Sequence, residues 1–228
     1  MTERITLGLV HTAPALADSF ERLAKEIGPD VQLLHVVDSS LLAAAIEDGV
    51  TEDLSARTTA HVGYLAGQGA DAVLVTCSSI GECADVAADR SDIPVLRVDR
   101  PMAVRAVETA AAGRGRVAVL ATLSTTLGPT RRLLEAEVDR SGEEISIEAT
   151  VVEGAAAARA AGELTRHEEL IRAAVAELAD RCDVVVLAQA SMAAALDEAG
   201  DGGGADVLSS PLSGLTEAVT IARAHEPG

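Results

Sequence analysis

Two short segments carry the residues that could do chemistry. DAVLVTCSSIG (Asp71–Gly81) is an apolar, strand-like run that stops on Cys77 and continues into two hydroxyls and a glycine. DVVVLAQASMA (Asp183–Ala193) nearly repeats it 112 positions later, with Gln189 where the first copy has Cys77. A thiolate is a nucleophile or a base, whereas a glutamine amide hydrogen-bonds but does not titrate. Ser78 and Ser79 follow the thiol, and Ser191 is their counterpart in the second copy. Hydroxyls at the start of a helix can cap it and, together with free backbone N–H groups, can hold a carboxylate. Cys77 could also be a small buried residue, as free cysteines often are. The strand-end position and its repetition favour a functional role. Cys83, within the following helix, and Cys182, before the second strand, read as structural.

Composition removes several classes of function. The chain has 228 residues and a formal net charge of −18, which disfavours nucleic-acid phosphates and anionic membrane surfaces as partners. One Phe, one Tyr and no Trp leave little on which bases could stack. No P-loop Gly-Lys-Ser/Thr exists. Lys25 is the only lysine and sits in a helix-like stretch, so a pyridoxal Schiff base is not expected. His35, His61, His167 and His225 show no metal-ligand spacing, and neither metal nor cofactor is expected. No long unbroken apolar run suggests a membrane span. The first residues read as a strand, not a secretion signal, and three cysteines make no disulfide framework. The expectation is a reduced, cytoplasmic protein with a small carboxylate as partner; a homo-oligomer is compatible with the sequence.

Eight β-rich runs recur with helical patterns between them: 5–10, 31–37, 72–76, 95–98, 117–122, 145–152, 184–188 and 207–210. Short apolar strands alternating with helices predict parallel sheets covered on both faces. In TRHEELIRAAVAELADRC, Leu170, Ile171, Ala174, Val175 and Leu178 share one helical face, and Thr165 with Glu168 reads as a capping box at its start. The halves repeat: 7–23 resembles 117–133, 71–87 resembles 183–199, and 93–110 resembles 205–222. The expected fold is therefore α/β, with two similar flavodoxin-like domains related by a pseudo-twofold axis and an active-site cleft between them. The first domain is residues 1–100 plus about 212–228, and the second is 101–211. Ligands of open parallel sheets bind beyond the carboxyl ends of strands, which is where Cys77 and Gln189 fall.

LVTCSSIG, LAQASMA, VHTAP (Val10–Pro14) and ATLSTT (Ala121–Thr126) together resemble the motifs of the aspartate/glutamate/hydantoin racemase superfamily, which includes maleate isomerase and arylmalonate decarboxylase. The resemblance covers essentially the whole chain. It implies cofactor-independent proton transfer at the carbon next to a carboxylate, with one cysteine on each face. It makes Cys77 the catalytic thiol and Thr12, Ser78, Ser79, Thr122, Thr125 and Ser191 substrate-binding residues. Gln189 departs from the pattern, because an amide cannot replace the second thiol as an acid or base. This favours single-thiol chemistry: isomerisation or racemisation with Cys77 as base or nucleophile, or decarboxylation of a malonate-type acid. A carboxylate-binding relative without activity is a third reading. Scarce aromatics argue against an aryl substrate. His11 stands where glutamate racemases carry an aspartate that assists the thiol, and could activate Cys77 or serve as the second acid. It could equally make a local hydrogen bond at its strand end.

Overall fold

The computed structural model describes residues 4–195 and 204–225, which form two units. One runs to Asp99 and resumes at Pro211; the other is Arg100–Ser210. The first contains β1 (Ile5–His11), α1 (Ala15–Ile27), β2 (Val31–Val37), α2 (Ser39–Asp48), α3 (Glu52–Gly67), β3 (Ala72–Val75), α4 (Gly81–Ala88) and β4 (Val95–Arg97). The second contains α5 (Arg100–Ala111), β5 (Arg116–Ala121), α6 (Ser124–Ser141), β6 (Ser146–Val151), α7 (Ala155–Ala160), α8 (Leu164–Ala179), β7 (Val184–Leu187) and β8 (Asp206–Ser209). The last helix, α9 (Ser210–Ala224), packs on the first sheet. Among the described residues no helix is long and apolar enough to cross a membrane.

The sheets are parallel and share one topology, β2-β1-β3-β4 and β6-β5-β7-β8. Both central strands of each sheet are apolar on both faces because helices cover both sides. In the first sheet, Leu7, Leu9 and Leu74 pack with Phe20, Leu215 and Val219, while Val10, Val73 and Val75 pack with Leu54, Val62 and Leu65. In the second, Val117, Val119, Val184 and Val186 meet Met102 and Leu134, while Leu120, Val185 and Leu187 meet Ile171, Val175 and Leu178. Each large aliphatic side chain so buried contributes about 1.5–3 kcal/mol.

Repeated aspartates tie the strands together at their starts. Asp71 accepts from the Thr6 backbone N–H at 2.7 Å, and Asp183 accepts from that of Arg116 at 2.8 Å. The capping-box expectation at α8 is corrected. The helix begins at Leu164 after Glu163, with no side-chain cap, so Thr165 lies inside the first turn. Its apolar face is as expected, with Ile171, Val175 and Leu178 buried.

The attachment of α9 depends on Gly214. A Cβ there would lie 2.7 Å from Val98 Cγ2 and 2.9 Å from Val98 Cα, and would press on the Val98 carbonyl. Backbone cannot move aside as a flexible side chain can. Gly214→Ala is expected to destabilise by about 3 kcal/mol or more, lowering Tm by roughly 6–12 °C in a scanning melt. An unchanged melt would show that the helix can shift freely.

Candidate active site

Cys77 sits just beyond β3, half-buried and in extended backbone (φ −121, ψ 116). Its side chain packs on the sheet face that carries Val73 and Val75. The Cys77 carbonyl accepts from the Ile80 N–H at 3.1 Å, closing one 3-10 turn over Ser78–Ile80 before α4 begins. Ser78 and Ser79 are both buried in that turn. Neither Cys77, which precedes the turn, nor Ile80, which precedes α4, supplies a side-chain cap. Cys83 and Cys182 are buried, and burial pushes both thiols up from their ordinary range.

An ion-pair cluster holds the Cys77 turn from below. Arg97, at the end of β4, donates to both Asp99 carboxylate oxygens at 2.7 and 3.1 Å and to Asp85 on α4 at 3.1 Å. Arg97 and Asp99 are buried. Burial alone would lower the guanidinium, but the hydrogen bonds and charge of Asp99, with Asp85, raise it above its ordinary value. The glycine of TCSSIG now has its reason. A Cβ on Gly81 would fall 2.6 Å from the Arg97 guanidinium carbon, so any larger residue there would have to push the guanidinium off its place against the start of α4. This cluster was missed in the sequence; its only signal was that glycine.

In the second unit, Gln189 occupies the place of the thiol. Thr122, just past β5, donates to Gln189 Oε1 at 2.7 Å from its backbone N–H and at 2.7 Å from its hydroxyl. A backbone N–H can only donate, so the atom facing it must be the amide oxygen. The amide orientation is thereby fixed, and the –NH2 end is the one left to donate elsewhere. Thr122 thus holds Gln189 with its only hydroxyl proton. The Gln189 carbonyl accepts from Met192 at 2.9 Å, the counterpart of the Cys77 turn. Ser191 is half-buried in that turn, and Thr125 is half-buried in the first turn of α6. Thr12 is buried in the turn after β1.

His11 is fully buried, with its ring 5.5 Å from Phe20 on the α1 face of the sheet. Both ring nitrogens are engaged, Nδ1 with Thr76 Oγ1 at 2.8 Å and Nε2 with His35 Nδ1 at 2.9 Å. Cys77 packs on the opposite face, and neither imidazole nitrogen is bonded to the thiol. Of the two readings, the geometry matches the local hydrogen bond. His35 is the partner the sequence did not reveal, although it shares the parity of Leu33 and Val31 on β2 and so faces the same side as His11.

Acid should act on this unit in two steps. Burial, then the charge of His35, pushes His11 down from 6.5 to about 4. As pH falls, the unfolded chain takes that proton first, so stability present above pH 6.5 is lost toward pH 4. The loss is up to roughly 3 kcal/mol. Asp38, after β2, is held at about 2 by the Ser40 hydroxyl, then by His61, whose Nε2 lies 3.0 Å away. Its contribution is present above the ordinary carboxylate value near 3.8 and is lost as pH falls toward 2. Urea midpoints measured from pH 7.5 to 3 should therefore decline already between 6.5 and 4. A flat midpoint over that range would contradict a neutral, buried His11.

The match to known proteins follows the same architecture. An aspartate racemase homologue from Pyrococcus horikoshii superposes with a TM-score of 0.69 at 15% identity, over 97% of this chain and 99% of that one. A glutamate racemase from Bacillus anthracis gives 0.68 at 16% identity, over 98% and 83%. Arylmalonate decarboxylase gives 0.61 at 18% identity, over 95% and 92%. No curated protein matches the chain by sequence. These likenesses share the fold, and the family model for Asp/Glu/hydantoin racemases matches residues 10–217. The chain belongs to the Asp/Glu/hydantoin racemase family.

Proposed function

We propose that the protein is a cofactor-independent isomerase or racemase acting at the carbon next to a carboxylate of a small amino acid or dicarboxylate. In this reading Cys77 is the thiolate base or nucleophile, and Gln189 supplies a fixed amide donor to a substrate oxygen. The observation that supports it most is the pair of hydrogen bonds that Thr122 donates to Gln189 Oε1. It leaves the amide –NH2 pointing away from Thr122, in the role of a donor that cannot exchange a proton with carbon. Ser78, Ser79, Ser191, Thr12 and Thr125, with backbone N–H groups at the helix starts, hold the carboxylate and the developing enediolate. The protein is proposed to work in the cytoplasm, and a homo-oligomer is compatible with this reading.

A second reading uses the same groups. Decarboxylation of a malonate-type acid releases CO2 and leaves an enediolate, to which the Cys77 thiol returns one proton on one face. The fixed amide at position 189 favours such one-face chemistry, and arylmalonate decarboxylase shares the fold. The near absence of aromatic residues argues for a small substituent rather than an aryl group.

Iodoacetamide labelling at pH 7.5, read by peptide mass spectrometry, tests the thiol. Cys77 should be labelled well before the buried Cys83 and Cys182, and maleate, malonate or aspartate should slow the labelling. Labelling of Cys77 unaffected by any carboxylate in such a panel would remove it from the binding site.

A further inference from the structure

The hydrogen bonds around His11 have a fixed direction. The Thr76 hydroxyl donates to the Val10 carbonyl at 3.0 Å, so its oxygen must accept from His11 Nδ1–H. His11 Nε2 is then a bare lone pair and accepts from His35 Nδ1–H. His35 Nε2 lies 3.2 Å from Glu21 Oε1, a link that needs a proton of its own. Every link is satisfied when the cluster holds one proton more than two neutral imidazoles and a carboxylate, with that proton between His35 and Glu21. A second proton has no place, because His11 Nε2–H and His35 Nδ1–H would point at each other across 2.9 Å.

We propose that Glu21, His35, His11 and Thr76 form a one-proton latch that positions the strand end carrying Cys77 and opens when a second proton is added. The latch joins α1, β2, β1 and the residue preceding Cys77. It ends on a carbonyl, so it conducts no proton to a substrate; its members are positioning residues. The other charged groups on the elements packed here do not enter the cluster. On α1, Asp18, Arg22, Lys25 and Glu26 are exposed, and on α9 Glu217 is exposed while Arg223 is paired with Asp30 at 2.7 Å. Burial of His11 and the nearby charge of His35 place the second protonation in the acid range. The inference rests on the proposed function only in taking Cys77 as the residue whose placement matters.

His11→Gln separates titration from structure. Glutamine keeps one donor for Thr76 and one acceptor for His35, but has no proton to gain. The rate at which a pyridyl disulfide modifies Cys77, taken as the ratio of wild type to H11Q at each pH, cancels the ionisation of the thiol itself. The ratio should be near one at pH 7 and rise at least about fivefold by pH 4 as the wild-type strand end opens. A flat ratio overturns the latch. If H11Q does not fold, ring 15N spectra of the wild type decide instead. His11 should be the Nδ1–H tautomer at pH 6 and titrate together with a shift of the Thr76 amide in the acid range. An Nε2–H tautomer, or titration of His11 near the ordinary value of 6.5, would refute it. None of these readouts uses turnover, so they stand or fall separately from the catalytic role of Cys77.

Discussion

Cys77→Ala is expected to reduce substrate α-proton exchange in D2O by about three orders of magnitude or more, while leaving the melting profile close to wild type. The magnitude is that of removing a positioned acid/base group, typically about 10²–10⁴-fold, with nucleophilic participation adding to it. The profile should hold because Cys77 is half-buried and lies past the strand, so alanine leaves the β3 ladder and the carbonyl bond to Ile80 intact. Exchange is best followed by NMR on a panel of small acids, such as both enantiomers of aspartate and glutamate, and maleate for double-bond isomerisation. Cys77→Ser distinguishes the two thiol roles. A hydroxyl is far too weak an acid to be ionised at neutral pH, so serine should behave like alanine where thiolate is needed. A Cys77→Ala protein that exchanged an identified substrate at the wild-type rate would reduce TCSSIG to a strand end with a small residue packed on its core.

The architecture was legible because its causes are local and repeated. Apolar runs of four to eight residues at regular spacing specify parallel strands whatever lies between them, and the second half repeats the first. β3, β5 and β7 end one residue short of the apolar runs 72–76, 117–122 and 184–188. Thr76 and Thr122 lie just past their strands; Thr76 still gives its N–H to the Val10 carbonyl, Thr122 turns its own to Gln189, and their hydroxyls serve His11 and Gln189. Those links were not legible. The bond from His11 to Thr76 joins positions 65 residues apart, and that from Thr122 to Gln189 joins positions 67 apart. Such pairings depend on strand order and on which face a side chain takes, and neither is written in spacing along the chain. The same limit hid Arg97 and Asp99. Arg97 falls inside the apolar run 95–98 and Asp99 just after it, and nothing in their spacing marks them as a buried pair. Removing Arg97 would leave Asp99 a buried, unpaired charge, so this cluster belongs to the support of the Cys77 turn rather than to an exposed surface.

Gln189→Cys is the change expected to alter the reaction itself. Inversion at a carbon needs a proton donor on the face opposite the base. In the proposed function, position 189 supplies no such donor, because it carries an amide whose oxygen is held by Thr122 and whose nitrogen can only donate a hydrogen bond. His11 offers no substitute, since both its nitrogens are bonded within the first unit. The wild type should therefore exchange or deliver the α-proton on one face, so that product formed in D2O is deuterated with retained configuration. A cysteine at 189 would supply the missing acid and should make inversion measurable above a wild-type background near zero. Gln189→Leu provides the contrast. It removes the amide donor without adding an acid, so it should weaken substrate binding, raising KM, and still give no inversion. Thr122→Val should lie between wild type and Gln189→Leu in KM and give no inversion, because the backbone N–H still holds the amide after the hydroxyl is lost. Chiral chromatography of the deuterated product reads all four proteins. Rapid inversion by the wild type would place a second acid elsewhere in the site and end the single-thiol reading, whereas inversion confined to Gln189→Cys would identify position 189 as the residue that decides between one-face and two-face chemistry.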